Sequence, residues 1–421
     1  MSAVRPRGLA GSVLVAVVCA FGCTAYGGPS PAPAPQPAPA PAPQEPGGDD
    51  AADNCPETVT AQVVALDTVL VNNRLGANVP GGMVYALADD VEPTTSAQDS
   101  QCADPADPGD WTQWQAGCVQ LKGYKRPRPI VLRVNQGQCL KIEFRNLLAP
   151  AAIPGTGPPP TRAAGAFVQG LEWSRGRSDD ASWVGANPKS LADPGGAMRI
   201  YQYFAPEEGP FLLYSTGDVY TGGGAADSFT AGDGGTLTEG LFGAVMVQPA
   251  GAEYYRSQVT FEDLCLASVG HTTQTGAGGA YVAGSCARDD RDELPQIDYQ
   301  AVYPAGHDRA GLPVLSMVQG GVLVHSDLTA IITGPEAGRF PDSDLTDPGF
   351  HTIGPDDAPT YPDRLEPYRE FTIIYHELLR SVQAFSPIYT NNQLGPMMEA
   401  AGDNFAINYG MGGIGSEILA N

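Results

Sequence analysis

The side chains that most often do chemistry are sparse in this 421-residue chain, and their spacing limits what they can do. The five histidines, His271, His307, His325, His351 and His376, stand singly, with no two one residue apart and no His-Cys-His run, so no ready transition-metal site is written in them. His376 ends a strand-like run and His325 sits beside Ser326 and Asp327, which reads as structural hydrogen bonding. His271, His307 and His351 fall in Gly/Asp-rich stretches, where exposure is the default. Asp342, Asp344 and Asp347 have a faintly calcium-like spacing, but they lack the glycine and distal glutamate of a calcium loop. Asp179-Asp180, Asp289-Asp290 and Asp356-Asp357 are sequence neighbours that point apart in extended chain, so they read as solvated turns rather than a glycosidase pair. Neither G-x-S-x-G nor G-x-x-x-x-G-K occurs, which removes the serine-hydrolase elbow and the phosphate-cradling loop. No catalytic residue is assigned.

Cysteine usage points to an oxidising compartment. Six cysteines follow Cys23, namely Cys55, Cys102, Cys118, Cys139, Cys265 and Cys286, an even number that suits three disulfides. Cys265 and Cys286 enclose a Gly/Thr-rich stretch with no evident core, so these two are expected to pair, leaving the other four to pair among themselves. No Cys-x-x-Cys or Cys/His group has zinc-ligand spacing.

The chain's opening residues agree with export. Arg5 and Arg7 precede an apolar run, Leu9 to Phe21, that is too short to span a bilayer and ends in Ala20-Phe21-Gly22-Cys23. This resembles a bacterial lipoprotein signal over residues 1–23 with Cys23 as the acylated residue; an ordinary cleaved signal peptide is the alternative. A Pro/Ala-rich spacer, residues 24–57, follows, in which alternating prolines fix φ and remove donors. Membrane attachment is therefore expected through lipid only, at a periplasmic or cell-surface location. With 23 Lys+Arg against 47 Asp+Glu the formal charge is −24, a surface that repels phosphate backbones and makes nucleic acid an unsuitable partner. One basic turn, Tyr124-Lys125-Arg126-Pro127-Arg128-Pro129, interrupts this acidity as either a docking point or a solvated approach to a strand.

The elements that must position all this are strands. The stretch Pro129 to Leu148 organises them: Leu140, Ile142 and Phe144 alternate with Lys141, Glu143 and Arg145, the period of a half-buried strand. Ile130 to Val134 reads as a second strand, and Asn135-Gln136-Gly137-Gln138 supplies a tight turn that would fold the two into a hairpin. Further short strands around Thr58–Val71, Val168–Trp173, Met198–Phe204, Gly209–Ser215 and Gly240–Gln248, with Gly 52 and Pro 39 in the composition, argue for an all-β sandwich with long loops. Leu140, Ile142, Phe144, Phe211 and Val245 are expected to point inward.

The order of these motifs resembles the multicopper oxidases, in particular the large multi-domain oxidases related to ceruloplasmin and to bacterial manganese oxidases. The likeness runs from the strand ending in Asn146, through the segment Val168 to Trp173 and through Tyr203 and Tyr214, to Gly240-Leu241-Phe242-Gly243-Ala244-Val245-Met246-Val247-Gln248-Pro249. Arg369 to His376 and Phe405 to Gly410 then look like the opening of a further domain. The resemblance implies a cupredoxin-like antiparallel Greek-key sandwich over residues 58–250, an inter-domain insertion and connection over 251–368, and an incomplete second cupredoxin-like segment over 369–421. It also implies copper as the family's cofactor, with substrate oxidation coupled to dioxygen reduction. The positions where a family domain would carry copper ligands read Val168-Gln169-Gly170 and Tyr214-Ser215-Thr216. No metal ligand can be carried over to them. The expectation is an N-terminal scaffold portion of an exported oxidase that binds no copper tightly by itself and has the remaining oxidase domains as partners; the alternative is a stand-alone surface lipoprotein with a cupredoxin-like binding domain.

Overall fold

Strand β4 (Cys139–Asn146) carries the alternation read from the sequence: Leu140, Ile142 and Phe144 are 0% exposed, while Lys141 and Glu143 lie half-buried on the other face. Burying three such side chains stabilises the fold by roughly 1.5–3 kcal/mol each. The computed structural model describes residues 55–72, 78–150, 162–181, 190–217, 235–288, 295–333, 367–377 and 405–412, all within the unit Asp50–Asn421. The leader, Cys23, the Pro/Ala spacer up to residue 54, His351, Asp342, Asp344, Asp347, Asp289-Asp290 and Asp356-Asp357 lie outside them.

Around β4 the strands run β1 (Thr58–Asp67), β2 (Met83–Leu87), β3 (Ile130–Asn135), β5 (Phe167–Gln169), β6 (Glu172–Trp173), β7 (Arg199–Phe204), β8 (Gly209–Tyr214) and β9 (Phe242–Gln248). After them come β10 (Tyr254–Arg256), β11 (Val318–Gln319), β12 (Val322–Leu323), β13 (Thr329–Ile332), β14 (Tyr368–Phe371), β15 (Tyr375–Glu377), β16 (Phe405–Ile407) and β17 (Gly410–Gly412). The first sheet has the order β6-β7-β4-β1-β12-β11, with β2 also on β1; the second has the order β3-β9-β8-β5. β1 is parallel to β4 from Thr58↔Cys139 to Ala65↔Asn146, and β9 is parallel to β3 from Gly243↔Ile130 to Gln248↔Asn135. The chain crosses between the two sheets from β2 to β3, β3 to β4, β4 to β5, β5 to β6 and β7 to β8, and this order, with one long parallel pair in each sheet, makes the fold an all-β, cupredoxin-like sandwich. The sheets are mixed rather than wholly antiparallel.

The expected hairpin does not form. β3 and β4 are joined by the turn as read, with Gly137 at φ 84 and Gln138 N–H donating to the Asn135 carbonyl, yet β3 pairs with β9 and β4 pairs with β1 and β7. Both strands have one wholly apolar face, Ile130, Leu132 and Val134 on one and Leu140, Ile142 and Phe144 on the other. Placing them in opposite sheets packs these faces against each other instead of side by side. Val168, Leu213, Val245 and Val247 complete the core, Phe211 packs at its margin, and Tyr85 and Tyr201 meet the Phe144 ring at 6.0 and 6.2 Å.

Outside the sandwich lies a third sheet, β10-β13-β14. Tyr254, Ala330 and Ile332 join the main core, while Tyr255 and Ile331 meet a separate small core of Leu266, Tyr303, Val314 and Leu315 in the insertion. Arg133 of β3, fully buried, ties this layer down by donating Nη2 to Glu370 Oε1 at 2.8 Å and Nη1 to the Asp327 carbonyl at 2.8 Å. Past β14, Thr372 and Ile374 are buried while Phe371, Ile373 and Tyr375 stand 57, 56 and 70% exposed. The exposed side of that strip is apolar. Tyr409, at φ 71, lays its ring on Phe242 and donates its hydroxyl to the Gly240 carbonyl at 2.6 Å, so the last described strands are anchored on the sandwich.

Candidate functional site

The positions reserved by resemblance for copper ligands fall on β5 and on the end of β8, neighbours in the second sheet through Leu213↔Val168. Val168 is a core residue whose amide N–H lies 3.4 Å from the Tyr203 hydroxyl, and that hydroxyl donates to the Ala166 carbonyl at 3.0 Å. Gly170 has φ +101, and a Cβ built there would sit 2.8 Å from the Phe211 ring, so both conformation and space require glycine. The Tyr214 ring meets Phe167 edge-on at 5.4 Å.

Ser215 is the centre of a buried hydroxyl network. Its Oγ lies 2.7 Å from Thr236 Oγ1 and accepts from the backbone N–H groups of Gly165 and Gly217, each at 3.3 Å. Tyr85 donates to the Gly165 carbonyl and also interacts with Ser215, while Thr216 donates to the Ala181 carbonyl at 2.9 Å. Burial pushes the Tyr85 hydroxyl well above its ordinary range, so the network stays neutral. Neutral hydroxyls already spent on carbonyls and amides do not fit copper, whose sites in proteins are built from imidazole, thiolate and thioether.

The cysteines and histidines are equally committed. Cys55–Cys139, Cys102–Cys118 and Cys265–Cys286 are disulfides, which consumes every cysteine among the described residues. His325 is buried, with Nε2 at 2.8 Å from the Pro313 carbonyl; burial, helped by Arg256, pushes its pKa down to about 4. His376 stacks on Phe242 at 4.5 Å and bonds to the Leu237 backbone, and burial lowers its pKa. His271 has Nδ1 2.7 Å from the Ser268 carbonyl. His307 corrects the expectation of an exposed loop residue: it stacks on Tyr303 at 4.5 Å and accepts the Arg309 N–H, with burial lowering its pKa. Among the described residues no three His, Cys, Asp or Glu side chains gather as a metal site. Asp179-Asp180 also differs from the solvated-turn reading, because Asp179 is fully buried, bound to Arg175 and accepting from the Gln202 N–H at 2.9 Å.

A second polar group, not foreseen in the sequence, lies within residues 251–368 and ties their helix to the third sheet. Thr260 and Asp263 form a capping box at the start of the helix Phe261–Leu266. Asp263 then accepts from Tyr303 at 2.7 Å and Arg309 at 2.8 Å and lies 3.5 Å from Arg256, which in turn holds Asp327 at 2.7 Å. Burial by itself would raise Asp263, but Arg256, the Tyr303 hydroxyl and Arg309 outweigh it and hold the carboxyl below its ordinary range. The Arg309 guanidinium lies over Tyr303 at 4.0 Å and over Tyr124 of the basic turn at 4.8 Å. The capping-box spacing was the only local signal for this cluster; its other members come from distant parts of the chain.

No protein-family profile matches the chain, and no curated protein matches it. Among solved structures it is similar to a multi-copper oxidase from Pseudomonas thermotolerans, at 16% identity over 46% of this chain and 30% of that one, with a TM-score of 0.24. It is likewise similar to the multicopper oxidase mgLAC, at 11% identity over 46% and 39% of the two chains, with a TM-score of 0.25. A copper nitrite reductase from Nitrosomonas europaea matches at 11% identity over 46% and 42%, with a TM-score of 0.23. The match spans less than half the length of each of these proteins. The class of the chain rests on its own strand order, which is that of an all-β, cupredoxin-like sandwich.

Proposed function

We propose that the chain is the copper-free scaffold portion of an exported protein of multicopper-oxidase type, with substrate oxidation and dioxygen reduction carried by other domains. The observation that carries this reading is the replacement at β5 and the end of β8, where Val168, Gln169, Tyr214 and Ser215 stand and the Ser215 hydroxyl is bonded to Thr236 and two backbone amides. Three disulfides fit an oxidising compartment, and no helix among the described residues is long and apolar enough to cross a membrane. The strip Phe371, Ile373 and Tyr375 suits an inter-domain surface whose occupant is a further oxidase domain. In this reading residues 58–250 are a first domain, 251–368 connect it, 369–421 begin the next, and Cys23 carries the lipid anchor.

The test is metal analysis and a visible spectrum of the purified chain after copper loading and dialysis against a chelator. Expected are no stoichiometric copper, no intense copper-thiolate band and no oxidation of phenols or metal ions. About one tightly held copper per chain would overturn the reading.

A further inference from the structure

The basic turn has a use that the scaffold reading leaves untouched. Lys125, Arg126 and Arg128 all line one shallow depression, together with Tyr85, Pro129 and Ser326. Three cations at one spot on a chain of formal charge −24 are out of keeping with the rest of the surface. The nearby carboxylates do not neutralise them all. Asp90 is spent on Lys125 at 2.6 Å, and Asp327 is held by Arg256 at 2.7 Å. Arg128 uses Nη1 on the Pro127 carbonyl at 2.9 Å, which leaves its remaining donors, and Arg126 has no ion pair among the described residues.

A second observation is independent of charge. Ser326 is only 7% exposed and lines the depression. Its hydroxyl is a neutral donor on the wall that Arg126 and Arg128 also line. Pro127 and Pro129 fix φ on either side of Arg128, so the backbone that presents the arginines is ordered before anything binds. Guanidinium forks match the oxygen spacing of tetrahedral anions.

We propose that Lys125, Arg126, Arg128 and Ser326 form a binding site for a phosphate or sulfate group. The negative field of the whole chain disfavours anions in general, so binding here depends on directional donors and should select a tetrahedral oxyanion over chloride.

The test is calorimetric titration of the full chain with inorganic phosphate and with sulfate at physiological chloride. Expected is saturable binding at one site per chain, weakened at least roughly tenfold in R126Q/R128Q, partly restored in R126K/R128K, and weakened a few-fold in Ser326→Ala. Arg126 and Arg128 are exposed, so R126Q/R128Q should melt at the wild-type temperature when no anion is present. No saturable binding above chloride, or binding unchanged in R126Q/R128Q, would overturn the proposal. Vesicles of phosphatidic acid in phosphatidylcholine separate the sources. Capture by these vesicles that is lost in R126Q/R128Q places the phosphate on a lipid, and titration without capture places it on a soluble ligand.

Discussion

The molecule buries two polar groups of opposite character. The Ser215 network in the sandwich is neutral, made of hydroxyls facing carbonyls and amides. The Asp263 group under the insertion is charged, with Arg256 and Arg309 converging on one carboxylate and Arg256 reaching on to Asp327. A neutral network loses little when one member goes, because a displaced donor or acceptor leaves a modest desolvation cost. A charged cluster is far less forgiving, since removing the central carboxylate strands the Arg309 guanidinium and leaves Arg256 with Asp327 alone. The sandwich network can therefore tolerate the loss of one member, whereas the charged cluster within residues 251–368 depends on each of its ions.

Asp263→Ala is the sharpest way to break this comparison. It should cost about 3–5 kcal/mol in denaturant unfolding, the range for stranding a buried charge. A cost under about 1 kcal/mol would mean that the cluster is solvated and the contrast false.

The disulfide beside this cluster comes next. Replacing Cys265 and Cys286 together by serine removes a bridge of sequence separation 21, a loss of about 3 kcal/mol on the chain-entropy estimate. The insertion has its own small core, so the loss should be local: amide protection falls at Tyr303 and Leu315 and persists at Leu140. Equal loss at Leu140 would show that the insertion and the sandwich unfold as one.

A pH profile sharpens the contrast further. His325 has its folded pKa pushed down to about 4, below an unfolded value near 6.5. The folded state thus binds the proton less well, so the contribution is fully present above pH 6.5 and lost as pH falls through about 4. The loss is on the order of 3 kcal/mol, and H325Q should flatten the stability curve across that window. A curve unchanged by the substitution would place the acid sensitivity elsewhere.

What the sequence made legible follows from what is local. The burial of Leu140, Ile142 and Phe144 needed only a period of two, and a pairing of Cys265 with Cys286 needed only their enclosure of a loop. The sheet assignment of β3 and β4 was hidden, because a turn such as Asn135–Gln138 serves a crossover between sheets as well as a hairpin; what decides is the existence of β1 and β9 as partners. Arg256, Asp263, Tyr303 and Asp327 carry no shared motif, and tertiary folding alone brings them together. Ser326 was read only as a neighbour of His325, since its place on the wall of the depression beneath the basic turn is a property of packing.

The smallest effect belongs to Ser215→Ala. Thr236, Gly165 and Gly217 each lose a partner, but Thr236 Oγ1 also lies 3.0 Å from the Gly217 carbonyl and can donate there instead. Two weakly bonded amides then remain, and the cost should be about 1–2 kcal/mol. Nothing in this network titrates near neutrality, since burial raises Tyr85 well above its ordinary range and Ser215 and Thr236 are neutral throughout. The cost of Ser215→Ala should therefore be the same at pH 5 and at pH 8 by denaturant unfolding. For Asp263→Ala the cost should be constant across that range too, but shrink once the pH falls through the depressed range in which the wild-type carboxylate takes up its proton. A Ser215→Ala cost that varied with pH between 5 and 8 would mean that a charged group reaches the hydroxyls, and the neutral half of the comparison would fail.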